Sequence, residues 1–326
     1  MKRKTDMRKV RLAVVGVGEF GKNHVRVVRQ SDRAELVAVV DANAVRAAEV
    51  AAANGCVALD NLSELAGKVD AAIVAVPTSA HADVGCSLLE AGIDVLVEKP
   101  MAPDLAAADR LIQAAESHRR ILQVGHLERF NPAVIALERI ARLPLFFEIH
   151  RLSVFSPRSL DIDVVLDLMI HDIDILLSLV PGKIEEIRAA GISILTPKVD
   201  IANVRLQFKG GCVANITASR VSTDRVRKLR LFQPNQYISV DYGRQDVAVF
   251  SVGENRQISF QQLTVDKAEP LALQFEAFLN SVETRQTPKL GGHVGRLNLE
   301  AALAILAKIE EHSRVVAQSL VSGWKP

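Results

Sequence analysis

The chain of 326 residues is long for one compact domain and comfortable for two, and its 49% apolar residues are enough to fill ordinary cores. A net charge of +2, with both signs nearly balanced, argues against a nucleic-acid or membrane-surface partner, which needs a strong single-sign field. No apolar run reaches the length of a membrane span, and aromatics at 4% disfavour a base-stacking surface. Residues 1–11 are basic but lack a cleavage-site pattern, so they are expected to be a disordered leader rather than a signal peptide. Cys56, Cys86 and Cys212 are scattered and odd in number, fit no zinc or iron–sulfur spacing, and read as small hydrophobes in a reducing cytoplasm.

Strand and helix signals alternate through the first part of the chain. Val10–Val15 is a short apolar run, followed by a helix over 21–30, a strand over 35–41 and an alanine-rich helix over 44–53. Strands over 71–76 and 94–98 flank a helix over 81–91; a helix over 104–118 and a strand over 121–124 follow. This alternation predicts a parallel sheet covered by helices on both faces. After about Gly125 the texture changes. Helices over 132–140 and 163–179 are followed by alternating strands over 184–194, 203–208, 212–220, 228–232 and 237–242, with another over 145–151. Gly210-Gly211 reads as a hairpin turn. Strands in sequence imply an open, mainly antiparallel sheet, and helices over 269–281 and 297–320 close the chain. The expected organisation is therefore an N-terminal α/β domain over 1–124 and a C-terminal α+β domain over 125–326, with no flexible linker.

Gly16, Gly18 and Gly21 spell G-x-G-x-x-G after an apolar strand and at the opening of a helix. That context marks a dinucleotide-binding turn of a doubly wound (Rossmann) sheet: tight turn, close pyrophosphate approach, close helix–strand packing. Asp41 ends the second strand about 20 residues on, where an acid binds the ribose hydroxyls. Its charge would repel a 2′-phosphate, which favours NAD over NADP; Arg46 is the nearest basic residue. A helix N-cap carboxylate is the alternative reading of Asp41.

Two further features carry chemistry. Lys99 follows the strand over 94–98 in the sequence EKP, at the carboxyl edge of the sheet where α/β sheets bind ligands. Pro100 restricts its backbone, and a lysine there can hydrogen-bond a reacting hydroxyl. The helix over 163–179, DVVLDLMIHDIDILLSL, places Asp163, Asp167, His171, Asp174 and Ser178 on one narrow stripe of an otherwise apolar surface, with Asp172 opposite. Asp167 and His171 are four residues apart, the spacing at which a carboxylate can hold an imidazole as a base. A structural ion pair remains open, and a metal is disfavoured because no other His or Cys lies at ligand spacing.

Together, GVGEFG, VPTSAH (76–81), EKP (98–100) and DLMIHDIDILL (167–177), in this order and spacing, resemble the glucose–fructose oxidoreductase/inositol dehydrogenase (Gfo/Idh/MocA) family over nearly the whole chain. The resemblance implies an NAD-dependent oxidoreductase and a C-terminal sheet that mediates homo-oligomers, dimers or tetramers. Carried over motif by motif, it implies catalytic roles for Lys99, Asp167 and His171. It implies cofactor contacts from Gly16, Gly18, Glu19, Phe20, Gly21, Asp41, Pro77, Thr78, His81, Glu98 and Lys99. Within the family, GHLERFNP (125–132), HRLSVFSPRS (150–159) and the run from Ile216 to Pro234 resemble enzymes that oxidise the 3-hydroxyl of UDP-N-acetylglucosamine. That sub-resemblance implies substrate contacts from Arg129, Asn131, Arg158, Asp163, Arg220 and Arg227, with Arg225 a further candidate; arginine suits a diphosphate because it binds bidentately. Two other functions stay open: a dehydrogenase of free sugars or inositols, and an NAD-binding sensor without catalysis. Which of Lys99 and His171 is the base is also open.

Overall fold

The computed structural model describes residues 8–156 and 162–323. Most of the expected leader and Arg158 lie outside the described residues; the first strand begins at Val10, inside the stretch read as leader. The chain divides into two compact units. One comprises the residues up to His126 together with Leu271–Leu297, the other Leu127–Pro270 and the chain from Asn298 onward.

The first unit is built on six parallel strands, β1 (Val10–Val15), β2 (Ala34–Val40), β3 (Val57–Leu59), β4 (Ala71–Val74), β5 (Asp94–Glu98) and β6 (Leu122–Gly125), in the order β3-β2-β1-β4-β5-β6. Helices α1 (Glu19–Gln30), α2 (Ala44–Asn54), α3 (His81–Glu90) and α4 (Leu105–Ser117) connect them. The sequence pattern anticipates every one of these except β3, a three-residue edge strand whose Val57 is 55% exposed and carries no periodic signal. Residues of β1, β4 and β5 are buried on both sides, which is why these strands read as continuous apolar runs. The chain winds outward from β1 to β3 and then crosses to β4 on the other side. Loops leaving β1 and β4 therefore diverge at the carboxyl edge, where doubly wound sheets bind ligands.

The second unit carries eight strands: β7 (Phe146–Leu152), β8 (Ile184–Ile192), β9 (Ile201–Phe208), β10 (Val213–Ser219), β11 (Val226–Gln233), β12 (Gln236–Asp241), β13 (Asp246–Val252) and β14 (Ile258–Leu263). Their order is β14-β13-β12-β11-β7-β10-β9-β8, and only the β7–β10 pairing is parallel. Gly210 and Gly211, both at positive φ, turn β9 into β10. β13 and β14 lie beyond the strands read from the sequence; β14 is exposed almost throughout and has no alternation to detect. Helices α5 (Pro132–Ile140) and α6 (Ile170–Leu179) supply apolar side chains to the same core as the inward residues of the sheet, among them Phe147, Ile149, Leu206 and Leu231.

The closing helices are α7 (Pro270–Thr284) and α8 (Gly292–Gly323). Phe275, Phe278 and Leu279 of α7 join the core of the first unit, whereas Ala302, Ile305 and Ile309 of α8 join that of the second. A single boundary at 124/125 does not capture this return of the chain, because helix amphipathicity shows that a face is buried but not against what.

Candidate active site

In the first unit, the turn after β1 shows why each glycine is needed. Gly16 sits at φ +87°, and a Cβ there would lie 2.5 Å from the carbonyl oxygen of Ala75. A Cβ on Gly21 would lie 1.9 Å from the carbonyl oxygen of Gly16. These two glycines serve the protein's own packing. Gly18 differs: no atom lies within 4 Å of its would-be Cβ, and it caps α1 without a side-chain hydrogen bond. That open, uncapped helix start suits a pyrophosphate, which takes the place of a capping group on backbone N–H donors. Glu19 and Phe20 are exposed in the first turn.

Asp41 follows β2 and accepts four hydrogen bonds. Its Oδ2 takes those of Val17 N (2.8 Å) and Arg46 Nε (3.1 Å), and its Oδ1 those of Asn43 N (2.8 Å) and Arg46 Nη2 (2.6 Å). Burial opposes the charge, but the bonds from Arg46, Asn43 and Val17 outweigh it and hold the carboxyl below its usual range.

The loops after β4 and β5 are tied together. His81, 1% exposed, places Nε2 2.9 Å from the Val76 carbonyl and Nδ1 2.9 Å from the Pro100 carbonyl, and burial pushes its pKa down. Pro77 is exposed and Thr78 half-buried in the short turn before it. Glu98 is buried: His24 Nε2 lies 2.8 Å from Oε1, the Lys99 N–H donates to Oε2 at 3.2 Å, and a Cβ on Gly125 would collide with the carboxylate. Lys99 is half-buried, and its bond to Pro100 is cis. Glu98 and His81 thus hold the backbone around Lys99 from both sides. His24 is the residue the sequence reading missed. Its one signal is its place beside Val25 and Val28 on the inward face of α1.

In the second unit the helix read over 163–179 is not one regular α-helix. Val165–Met169 is a π-helical turn, after which α6 begins. Asp167 lies half-buried in that turn, and His171 is 8% exposed in the first turn of α6. The rest of the polar stripe has internal partners. Asp163 accepts from Val199 N (2.9 Å), Asp174 from Asn298 Nδ2 (2.8 Å) and Arg129 Nη1 (3.3 Å), and Ser178 donates to the Ile175 carbonyl. Asp172, set apart in the sequence as lying on the opposite face, is instead the most deeply engaged. It is fully buried and takes a bidentate pair of bonds from Arg151 at 2.7 and 2.9 Å. Arg151 also donates to Glu128 (3.0 Å) and lies 5.2 Å from the centre of the Tyr242 ring. Burial pushes the Asp172 carboxyl up against the pull of Arg151, while Arg151 and Arg227 hold Glu128 below its usual range despite burial.

The residues expected at the substrate divide in the same way. Arg129 is held by Glu138 (2.9 Å) and Asp174; Asn131 caps α5 and donates to Glu128 and the Tyr242 carbonyl; Arg220 donates to the carbonyls of Ile162 and Val199 and lies 3.4 Å from Asp200. Arg227, by contrast, is partly exposed with Glu128 at 3.7 Å, and Arg225 is exposed.

Residues 10–126 match an oxidoreductase family with an NAD-binding Rossmann fold, and residues 152–235 match the C-terminal domain of the same family, Gfo/Idh/MocA. The chain belongs to this family. UDP-N-acetylglucosamine 3-dehydrogenase of Acidithiobacillus ferrooxidans is 36% identical over 92% of this chain and 97% of its own length. The solved structure of that enzyme has a TM-score of 0.88 and covers 94% of this chain and 99% of its own. Myo-inositol 2-dehydrogenase of Thermotoga maritima is 25% identical over 96% and 100% of the two chains. An NAD-binding protein from Listeria innocua, 20% identical with a TM-score of 0.81, shares the fold. As a Gfo/Idh/MocA member the chain is an NAD-dependent oxidoreductase, as its motifs imply, and the glycine turn described above has the room its dinucleotide needs. No helix among the described residues is long and apolar enough to cross a membrane.

Proposed function

We propose that this oxidoreductase oxidises the 3-hydroxyl of UDP-N-acetylglucosamine, or a close relative, to a ketone. The observation that carries the reading is the 36% identity to UDP-N-acetylglucosamine 3-dehydrogenase across nearly the full length of both chains, against 25% for an inositol dehydrogenase over a similar span. NAD, when bound, accepts the hydride. The protein's part is proton management and positioning. His171, oriented by Asp167, takes the hydroxyl proton, and Lys99 hydrogen-bonds the same oxygen as it becomes a carbonyl. Pro77, Thr78, Glu19 and Phe20 line the dinucleotide, whereas His81 and Glu98 act through the backbone that carries Lys99. For the diphosphate we assign Arg227 and Arg225, because they are not buried against internal carboxylates and carbonyls as Arg129 and Arg220 are, and Arg158 on the resemblance alone. Asn131 and Asp163 support the fold around them. Purified protein given NAD is expected to form NADH, read at 340 nm, with UDP-N-acetylglucosamine and not with free inositols; a coupled aminotransferase pulls the equilibrium forward. Turnover with inositols alone moves the substrate class, and silence with every sugar refutes the catalytic reading.

We propose a cytoplasmic location, which the three free cysteines support. The enzyme is proposed to be a homo-oligomer. Across five neighbouring strands of the second unit, Phe146, Phe232, Tyr237, Phe250 and Phe260 stand in register, with successive ring centres 4.9–5.7 Å apart. Phe260 is 60% exposed, and an apolar row of this size on an open sheet is suited to self-association. Light scattering on a sizing column should show a dimer or tetramer that Phe232→Glu with Phe260→Glu converts to monomer. A monomeric parent protein refutes the assignment.

A further inference from the structure

His171 stands in the first turn of α6, directly after the π-helical turn at Val165–Met169. A π-turn takes in one residue more than an α-turn, so its loss would rotate every later side chain by about 100° relative to those before it. Both ends of this turn are anchored within the second unit. Upstream, Val164 N donates to the Val199 carbonyl and Val199 N to Asp163 Oδ1, each at 2.9 Å. Downstream, two carboxylates flank His171. At about 100° per residue, Asp172 lies to one side of it and Asp174 about 60° to the other. A helix held on one flank rolls about that contact; held on both, it does not. Asp174 accepts from Asn298 Nδ2 (2.8 Å) and Arg129 Nη1 (3.3 Å). Asp172 takes the bidentate fork of Arg151 at 2.7 and 2.9 Å. Arg151 comes from β7, which pairs with β10 on one side and β11 on the other, and its Nη1 is held by Glu128 at 3.0 Å.

We propose that Arg151 is a positioning residue of this oxidoreductase: its fork on Asp172 locks the helical phase that aims the His171 imidazole. The inference rests on the proton-handling role proposed for His171. The other inward residues of this stretch, Ile170, Ile173 and Leu176, are aliphatic, and apolar burial has no preferred direction. A planar guanidinium fork accepts a carboxylate in one orientation. A buried ion pair adds little stability over apolar side chains of the same volume, and its best-attested use is to fix register. Here the register it fixes is that of the residue next to it. Arg151 touches neither substrate nor cofactor in this reading and acts through the backbone shared by Asp172 and His171.

Asp172→Asn keeps the shape of the side chain and gives up its charge and one arm of the fork. It is expected to lower kcat for UDP-N-acetylglucosamine about 10- to 100-fold, the cost of a displacement of about 1 Å. KM for both substrates should stay within about threefold, and the acidic limb of the pH profile should keep its place. In the His171→Ala background the same substitution should change kcat by less than about twofold, because a group that acts through His171 then has nothing to position. An equal factor in both backgrounds overturns the proposal. Hydrogen–deuterium exchange without substrate reads the lock itself. Amides over 165–173 should exchange about tenfold faster in Asp172→Asn, with the strands of the sheet unchanged. Faster exchange with full turnover, or slower turnover with unchanged exchange, also overturns the proposal. Full turnover in His171→Ala overturns it at its foundation, the role of His171, whatever the exchange shows. If Asp172→Asn does not fold, Arg151→Lys, which keeps the cation without the fork, carries the same measurements.

Discussion

His171→Ala and Lys99→Met are each expected to lower turnover by about 10²- to 10⁴-fold, the range over which a positioned proton-transfer group contributes. NAD affinity should stay within about twofold in His171→Ala, which removes no group assigned to the dinucleotide. Of the two, the residue that acts as base is distinguished by the pH profile. Loss of the base removes the acidic limb of the rate profile, while loss of the hydrogen-bond donor lowers the rate at every pH and leaves the limb in place. Stopped assays of NADH formation across pH 5–9 with both variants make that comparison. Full activity in either variant removes that residue from the mechanism.

The largest effect on stability is expected at Arg151. This guanidinium is 1% exposed and is the cation against which both Asp172 and Glu128 are buried. Arg151→Met leaves Asp172 without its cation in a water-excluded place and Glu128 with only Arg227 at 3.7 Å, at a cost of about 3–5 kcal/mol. The pH dependence carries a definite sign. In the parent, Glu128 sits below its usual pKa, so its share of stability is present above the unfolded value and lost as pH falls. Asp172 already stands above its usual pKa in the parent; without Arg151 it is raised further and Glu128 keeps only Arg227 as a cationic neighbour, so the variant loses more stability than the parent as pH rises. The melting-temperature gap between parent and variant should therefore be wide at pH 8 and narrow toward pH 4. Neutralising the orphaned groups with Asp172→Asn and Glu128→Gln in the same variant should restore part of the loss. An Arg151→Met melt no lower than that of exposed Arg225→Met would show that the network contributes nothing. Because Asp172 directly follows His171, the same lesion should also lower turnover at temperatures where the variant remains folded.

The sequence by itself determined most of the strands and helices (β3, β13 and β14 aside), the glycine turn and the family. The physical reason is that each of these is local: strand burial writes a run of apolar residues, helix burial a 3.6-residue period, and the dinucleotide turn a fixed spacing of glycines after a strand. It also placed Lys99 and His171, because a strand end and a helix turn are local positions. What it could not decide was which polar residues face inward partners, since that depends on side chains brought together from distant parts of the chain. Asp172 looked like the stripe's exception and is its anchor, because Arg151 reaches it from β7. Arg129 and Arg220 resembled phosphate ligands and are bound to Asp174 and to the carbonyls of Ile162 and Val199. The π-helical turn at Val165–Met169 breaks the regular period on which the stripe was drawn. Arg46 was noted only as the nearest basic residue to Asp41, and only the folded turn shows its fork closed on that carboxylate. Periodicity reports that a side chain is buried; tertiary structure alone decides what it is buried against, and for a charged group that partner sets both its cost and its function.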